Sequence, residues 1–302
     1  MRRRLLATLL VPGLLVAAGC RRAPELVASL TLSSRQIDLP HGRVVPLELR
    51  WEPAKPRPEL PAGVEAPIVF VHLIDAQGNV ARTFDHPLPG RWMPGSTIVD
   101  RVPLYHSAIG PAMPAGDYRL TVGLYDGQKK RFALTVEGEE LKRQEYVVAQ
   151  VKVPEVSTSA PAFTFSPEWL APEPGGDRQA VARRWLSGDG SLEARGLAPP
   201  AAVWMLLRVP KAEPPLRILL DPGATQASVR VTADCGGGFS AEVTGEGFKE
   251  VSVPVRAAGP CVISFDTNYV VVEMGTGRKL SLGLEQLGWE PGAGSVVTPA
   301  GP

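Results

Sequence analysis

Ile68-Val-Phe-Val-His-Leu-Ile74 is apolar at six of its seven positions, and five of those side chains are β-branched or phenyl. A run this short and this continuous reads as a central β-strand covered on both faces. Neighbouring runs alternate instead. Leu26, Ala28, Leu30 and Leu32 share one face, and Val45, Leu47, Leu49 and Trp51 share another. Tyr118, Leu120, Val122 and Leu124 alternate with Arg119, Thr121 and Gly123, which is the two-residue period of a strand. Turn residues at 75–79, 87–90, 94–95 and 114–117 separate these runs, and residues 146–153 close the set. Short strands spaced by such turns predict an antiparallel β-sandwich of immunoglobulin type over residues 20–153. Tyr118, just after Gly116-Asp117, has the placement of a tyrosine corner, with its phenol bonded to nearby backbone.

Residues 154–161 are polar and bounded by prolines, as a linker would be. Strand-like runs resume at 202–209, 216–220, 228–233, 251–255, 262–265 and 280–284. They predict a second β-sandwich, of jelly-roll type, over residues 162–290. Only 177–186 has the pattern of a helix, and 291–302, built largely of Gly, Ala, Ser and Pro, reads as a disordered tail. The fold class is therefore all-β. The 31 glycines and 31 prolines, about one residue in five, exclude a helical bundle. A net charge of +1 gives no basic excess for nucleic acid.

Residues 1–19 read MRRRLLATLLVPGLLVAAG, with a positive start at Arg2, Arg3 and Arg4 and an apolar core over 5–16. This is the build of a secretory signal peptide, too short for a membrane span. Ala17, Ala18 and Gly19 directly before Cys20 resemble the bacterial lipobox, although Ala17 stands where leucine is commoner. The resemblance implies that Cys20 carries the lipid and anchors the mature chain in a membrane. Arg21, where the retention pattern would have aspartate, implies the outer membrane if two are present. Removing residues 1–19 takes away three arginines and leaves a net charge of −2. With Cys20 lipidated, Cys235 and Cys261 remain, and in an oxidising compartment they read as a disulfide. Two buried free thiols are the alternative. No CxxC spacing or nearby histidine completes a zinc site.

Three blocks in order, VFVHLIDAQGNVART, PGSTIVDRVPL and PAGDYRLTVGLYD, resemble an immunoglobulin-like module of bacterial envelope proteins. That module is appended to membrane glycosyltransferases of the dolichyl-phosphate-mannose type. The residues that carry the resemblance include His72, Asp75, Gly78, Pro94, Gly95, Asp100, Arg101, Pro114, Gly116, Tyr118 and Gly123. Phe265 and residues 277–284 carry a looser similarity to a second sandwich module of the same proteins. The resemblance implies a fold and a link to the envelope and its polysaccharides. It supplies no catalytic residue that maps onto this chain.

His72 and Asp75, with Asp85, His86, Asp100 and His106, are the one grouping of ligand-type side chains. Such residues bind metals or share protons, but their spacing here matches no metal motif. His72 shares a strand face with Phe70 and Ile74, which favours a structural role, and Asp75 opens a turn. Asp100-Arg101 reads as a pair fixing one strand end to another. Among the six tryptophans, Trp51 and Trp204 lie within strand patterns, while Trp92 sits in a loop and is the best placed to meet a sugar ring. Gly236–Gly238 has no Walker lysine pattern and reads as a turn, and Gly-x-Ser-x-Gly does not occur.

These readings lead to a lipid-anchored, non-catalytic envelope protein with no cofactor and no metal. The expected partners are the membrane, through the anchor, and a polysaccharide or envelope-assembly protein. His72, Asp75, Trp92, Asp100 and Arg101 are the candidate contacts. An accessory hydrolase or transferase built on His72, Asp75 and Asp85 is one alternative, and requires those side chains to converge. A purely structural spacer is another.

Overall fold

The computed structural model describes residues 25–128, 130–174, 182–211, 213–292 and 297–299, so the expected signal segment and Cys20 lie outside the described residues. Among the described residues every regular element is a strand. The first set comprises β1 (Leu26–Leu32), β2 (Gln36–Asp38), β3 (Val44–Pro53), β4 (Ile68–Ile74), β5 (Val80–Thr83) and β6 (His86–Pro87). It continues with β7 (Ile98–Tyr105), β8 (Gly116–Tyr125), β9 (Arg131–Val136), β10 (Glu139–Lys142) and β11 (Glu145–Val153). One layer runs β1-β3-β7 and the other β10-β11-β8-β4. β9 ties the layers together, antiparallel to β8 and parallel to β1.

Leu30, Leu47, Leu49 and Trp51 meet Val69, Val71, Leu73, Leu120, Val122 and Leu124 in one core. β4 is also buried on its other face, through Phe70 and Ile74. Gly123 makes that second burial feasible, because a Cβ there would collide with the Phe70 ring. Tyr118 forms its corner, its hydroxyl donating to the Pro114 carbonyl at 2.8 Å.

The second set begins beyond residues 154–161, which contain no strand. It comprises β12 (Ala162–Phe165), β13 (Arg184–Trp185), β14 (Gly190–Arg195), β15 (Ala201–Val209), β16 (Leu216–Leu220), β17 (Ser228–Asp234) and β18 (Gly238–Thr244). β19 (Gly247–Val255), β20 (Cys261–Thr267), β21 (Tyr269–Glu273), β22 (Lys279–Leu280), β23 (Gly283–Pro291) and β24 (Val297–Pro299) follow. Two five-stranded sheets, β12-β14-β20-β17-β18 and β13-β23-β15-β19-β24, enclose a core of Val203, Met205, Leu207, Val231, Val253, Ile263 and Phe265. A third sheet, β16-β21-β22, lies beside them. Cys235 and Cys261 form a disulfide with a Cα–Cα distance of 4.7 Å, which rules out the free-thiol alternative. The protein is thus all-β, with two β-sandwich domains.

Two local expectations are corrected. Ala182–Leu186 is extended rather than helical: Arg184 and Trp185 pair with Leu284 and Gly283, and the Trp185 indole is buried. Tertiary pairing overrides the local helical pattern there; residues 175–181 lie outside the described residues. In the tail, Val297–Pro299 pairs with Lys249–Val251, because the edge of β19 offers unpaired backbone groups.

The domains share a built junction. Trp204, on β15 of the second domain, belongs to the core of the first and stacks on Tyr105 with ring centroids 5.5 Å apart. Ile109 of the first domain enters the second core in exchange. The Trp289 amide donates to the Gly42 carbonyl at 2.8 Å, and the Ala108 amide donates to the Leu287 carbonyl at 2.8 Å. Gly288 permits this approach, since a Cβ there would lie 2.7 Å from Val44 Cγ2.

Candidate functional site

The strongest candidate is a pocket at one end of the first domain. Pro94-Gly95 turns the chain before β7, and the Gly95 amide donates to the Pro53 carbonyl at 3.0 Å, folding this loop onto the end of β3. The turn sets Trp92 down half-buried, its indole N–H donating to the Lys55 carbonyl at 2.8 Å. The long β3–β4 connection supplies the opposite wall, where Arg57 Nη1 donates to the Glu65 carbonyl at 2.9 Å. Arg57, Glu65, Leu88, Gly90, Arg91 and Trp92 are among the residues that line a cavity of about 340 Å³. Its lining combines a flat aromatic, two guanidinium groups, one carboxylate and apolar walls. Chemically it can stack a ring and exchange hydrogen bonds with hydroxyls on both donor and acceptor terms.

The second candidate is a charged cluster on the outer face of the β4-β8-β11 layer. His72 Nε2 lies 3.2 Å from Asp85 Oδ1, and His72 Nδ1 lies 3.7 Å from Glu145 Oε1. Glu145 also accepts from Thr121 Oγ1 at 2.9 Å and from Arg131 Nη1 at 3.2 Å. The Arg131 guanidinium lies over the Phe70 ring, 4.6 Å from its centroid. Burial by itself would lower the His72 pKa, but hydrogen bonds and charge from Asp85 and Glu145 raise it to about 9. Glu145 is held down at about 2, chiefly by the His72 hydrogen bond and further by Thr121 and Arg131, against its own burial. His72 is therefore charged at neutral pH and paired on both ring nitrogens. Asp85 also has a backbone task, since its Oδ1 accepts the Val71 amide at 3.2 Å where β5 gives way to β6.

Asp75 is absent from this cluster, contrary to the convergence that the hydrolase reading requires. Its carboxylate closes its own turn, accepting the Gln77 amide at 2.9 Å and the Asn79 amide at 2.8 Å. Asp100 and Arg101 part company because adjacent strand residues face opposite sides. Asp100 points inward and accepts from Trp51 Nε1 at 3.2 Å and from His86 Nε2 at 3.0 Å. Burial would lower the His86 pKa, but Asp100 overcomes it and the net shift is upward. Arg101 points to solvent, 4.0 Å from Glu48.

His106 sits at the domain junction, edge-on to His41 with ring centroids 4.7 Å apart. Its Nε2 accepts the Met113 amide at 2.7 Å, and burial, with the neighbouring His41, lowers its pKa to about 4. Among the described residues no group of three or more His, Cys, Asp or Glu side chains is placed to hold a metal. Sequence reasoning missed Arg57, Glu65, Thr121, Arg131 and Glu145. Only Glu145 had a signal, as the single acid of β11, followed directly by the apolar stretch Tyr146–Ala149.

No family model matches this chain, and no curated protein matches it. Solved structures give distant likenesses. A Salmonella alpha-2-macroglobulin is 16% identical, with 88% of this chain and 15% of that one covered and a TM-score of 0.24. Tripeptidyl peptidase 2 is 11% identical, with 86% and 20% covered and a TM-score of 0.25. A Bacteroides ovatus protein, SGBP-B of a mixed-linkage glucan utilization locus, was solved with a mixed-linkage heptasaccharide. It is 9% identical, with 85% of this chain and 52% of that chain covered and a TM-score of 0.23. This chain therefore spans between 15% and 52% of the length of these three proteins.

Proposed function

We propose that this is a lipid-anchored cell-envelope protein, exported and held by Cys20, whose first domain binds a polysaccharide without catalysis. The observation that carries the reading is the pocket of Arg57, Glu65, Arg91 and Trp92, which offers an aromatic face beside donors and an acceptor. Its placement fits an anchored protein, because Lys55, which holds Trp92, lies 3.6 Å from Glu25 near the start of β1. Only four residues separate Glu25 from Cys20. A bound glycan would then sit close to the membrane, with the second domain beyond it. An envelope-assembly protein is the alternative ligand for the same surface.

The His72 cluster supports a structural assignment over the hydrolase reading. A general acid or base works best with a pKa near the operating pH, and His72 at about 9 is locked as the cation between two carboxylates. Asp75, the third member that chemistry would require, is occupied in its own turn.

A glycan array probed with the purified chain tests the reading. Binding of a defined glycan, reduced at least tenfold by Arg57→Ala and Arg91→Ala with unchanged folding, is the expected result. Trp92→Ala should abolish it, with circular dichroism controlling for the lost Lys55 bond. An absence of glycan binding, or binding indifferent to all three substitutions, overturns the polysaccharide assignment.

A further inference from the structure

Edge strands of a sheet expose unpaired backbone groups, and natural proteins blunt them with charge, proline or brevity. Several edges among the described residues are guarded in that way. β10 carries Glu139, Glu140 and Lys142, β7 carries Arg101 and Pro103, and β18 carries an exposed Glu242. β16 is different. It is the terminal strand of the β16-β21-β22 sheet, reads Leu216-Arg-Ile-Leu-Leu220, and leaves Leu219 43% and Leu220 40% exposed. Met274, at the next turn, is 60% exposed.

Backbone hydrogen bonds at the two ends of β16 fix which of its backbone groups point outward. The Met274 amide donates to the Pro215 carbonyl at 2.8 Å and the Asp221 amide donates to the Asn268 carbonyl at 2.9 Å. With the register Arg217↔Val272 and Leu219↔Val270, the odd-numbered residues of this stretch bond to β21. The amides and carbonyls of Ile218 and Leu220 therefore face away from the sheet. Leu216 has already given its amide to the Glu213 carbonyl.

We infer that β16 is a self-association surface, pairing antiparallel with β16 of a second copy about a two-fold axis at Leu219. In that register Ile218 of each copy lies opposite Leu220 of the other, and four backbone bonds satisfy all the outward groups of both residues. Leu219 meets Leu219, and the exposed Arg217 of each copy stands opposite the exposed Asp221 of the other. Opposite charges thus meet at both ends of the pair and no like charges do. Pro214-Pro215 before the strand and Pro222 after it bound the pairing, since proline has no amide to donate. The product is one continuous six-stranded sheet with a closed, isologous interface.

Light scattering on the full chain at high micromolar concentration tests this. Wild type is expected at twice the chain mass, and Arg217→Glu and Asp221→Arg, each placing like charges opposite one another, at the monomer mass. The exchange R217D/D221R restores the pairs and should restore the dimer. Leu219→Cys places identical thiols across the axis and should give a disulfide-linked dimer under mild oxidation. A monomeric wild type overturns the inference, as does a dimer indifferent to both single substitutions. Failure of the charge exchange to restore the dimer, in a variant folded by circular dichroism, overturns this register. Recovery of a monomer carrying an extended peptide of another protein on β16 equally overturns self-pairing.

Discussion

His72 shows how much a single side chain depends on what folding brings to it. Its unfolded pKa is near 6.5, and the folded value of about 9 means that the folded state binds the proton more tightly. Its contribution to stability is complete below about pH 6.5 and is lost as the pH rises through about 9. Glu145 has the opposite sign: from 4.5 it falls to about 2, so its contribution is complete above about pH 4.5 and is lost as the pH falls through about 2. His72→Gln should therefore flatten the alkaline limb of stability between about pH 6.5 and 9. It should also destabilise the protein by about 2–3 kcal/mol at neutral pH, because Glu145 and Asp85 lose a half-buried cation. Urea unfolding across that pH range checks both. Tyr118→Phe removes only the bond to Pro114 and should lower stability by about 1 kcal/mol in the same assay.

At the scale of elements, β4 and β8 determine one another. Phe70 lies across β8 where Gly123 leaves the space, and Arg131 covers the ring. Gly123→Ala should destabilise the first domain by about 1–3 kcal/mol, because a buried ring has no room to yield; thermal unfolding reads the loss. The apolar run over 68–74 made a doubly covered strand legible from sequence, and the alternation through Leu120, Val122 and Leu124 made the facing layer legible. Residues 182–186 were not legible in this way. Their local pattern resembled a helix, but the burial of Trp185 and pairing with β23 are long-range effects that no local pattern records. β21 differs: Tyr269-Val-Val-Val272 is a run of aromatic and β-branched residues that favours a strand locally, so its place among the strands was legible even though it was not among those expected.

For the whole molecule, the junction is the controlling feature. Trp204 crosses from the second domain into the core of the first, so the two sandwiches should unfold together. Trp204→Ala should cost about 3–5 kcal/mol and split a single calorimetric transition into two. His106 adds an acid sensitivity at the same place. Its folded pKa of about 4 lies below the unfolded 6.5, so its contribution is complete above about pH 6.5 and is lost as the pH falls through about 4. Proteolysis between the domains should therefore accelerate in that window. Fractionation tests the anchor: Cys20→Ser should abolish fatty-acid labelling and release the chain from the membrane, and retained labelling would refute the assignment.

The amino-acid sequence by itself determined the all-β class, the tyrosine corner and the loop placement of Trp92, each of which rests on local chemistry: side-chain period and the composition of turns. Between a Cys235–Cys261 disulfide and two free thiols it left a choice, which the tertiary structure decided for the disulfide. The tertiary structure alone decided that Asp75 stays out of the His72 cluster while Glu145 and Arg131 enter it. It also decided that Arg57 and Glu65 complete the Trp92 pocket, and that Trp204 serves the core of the other domain. Those outcomes depend on which strands lie side by side, and strand pairing is fixed by burial of surfaces far apart in the chain, not by the residues next to one another.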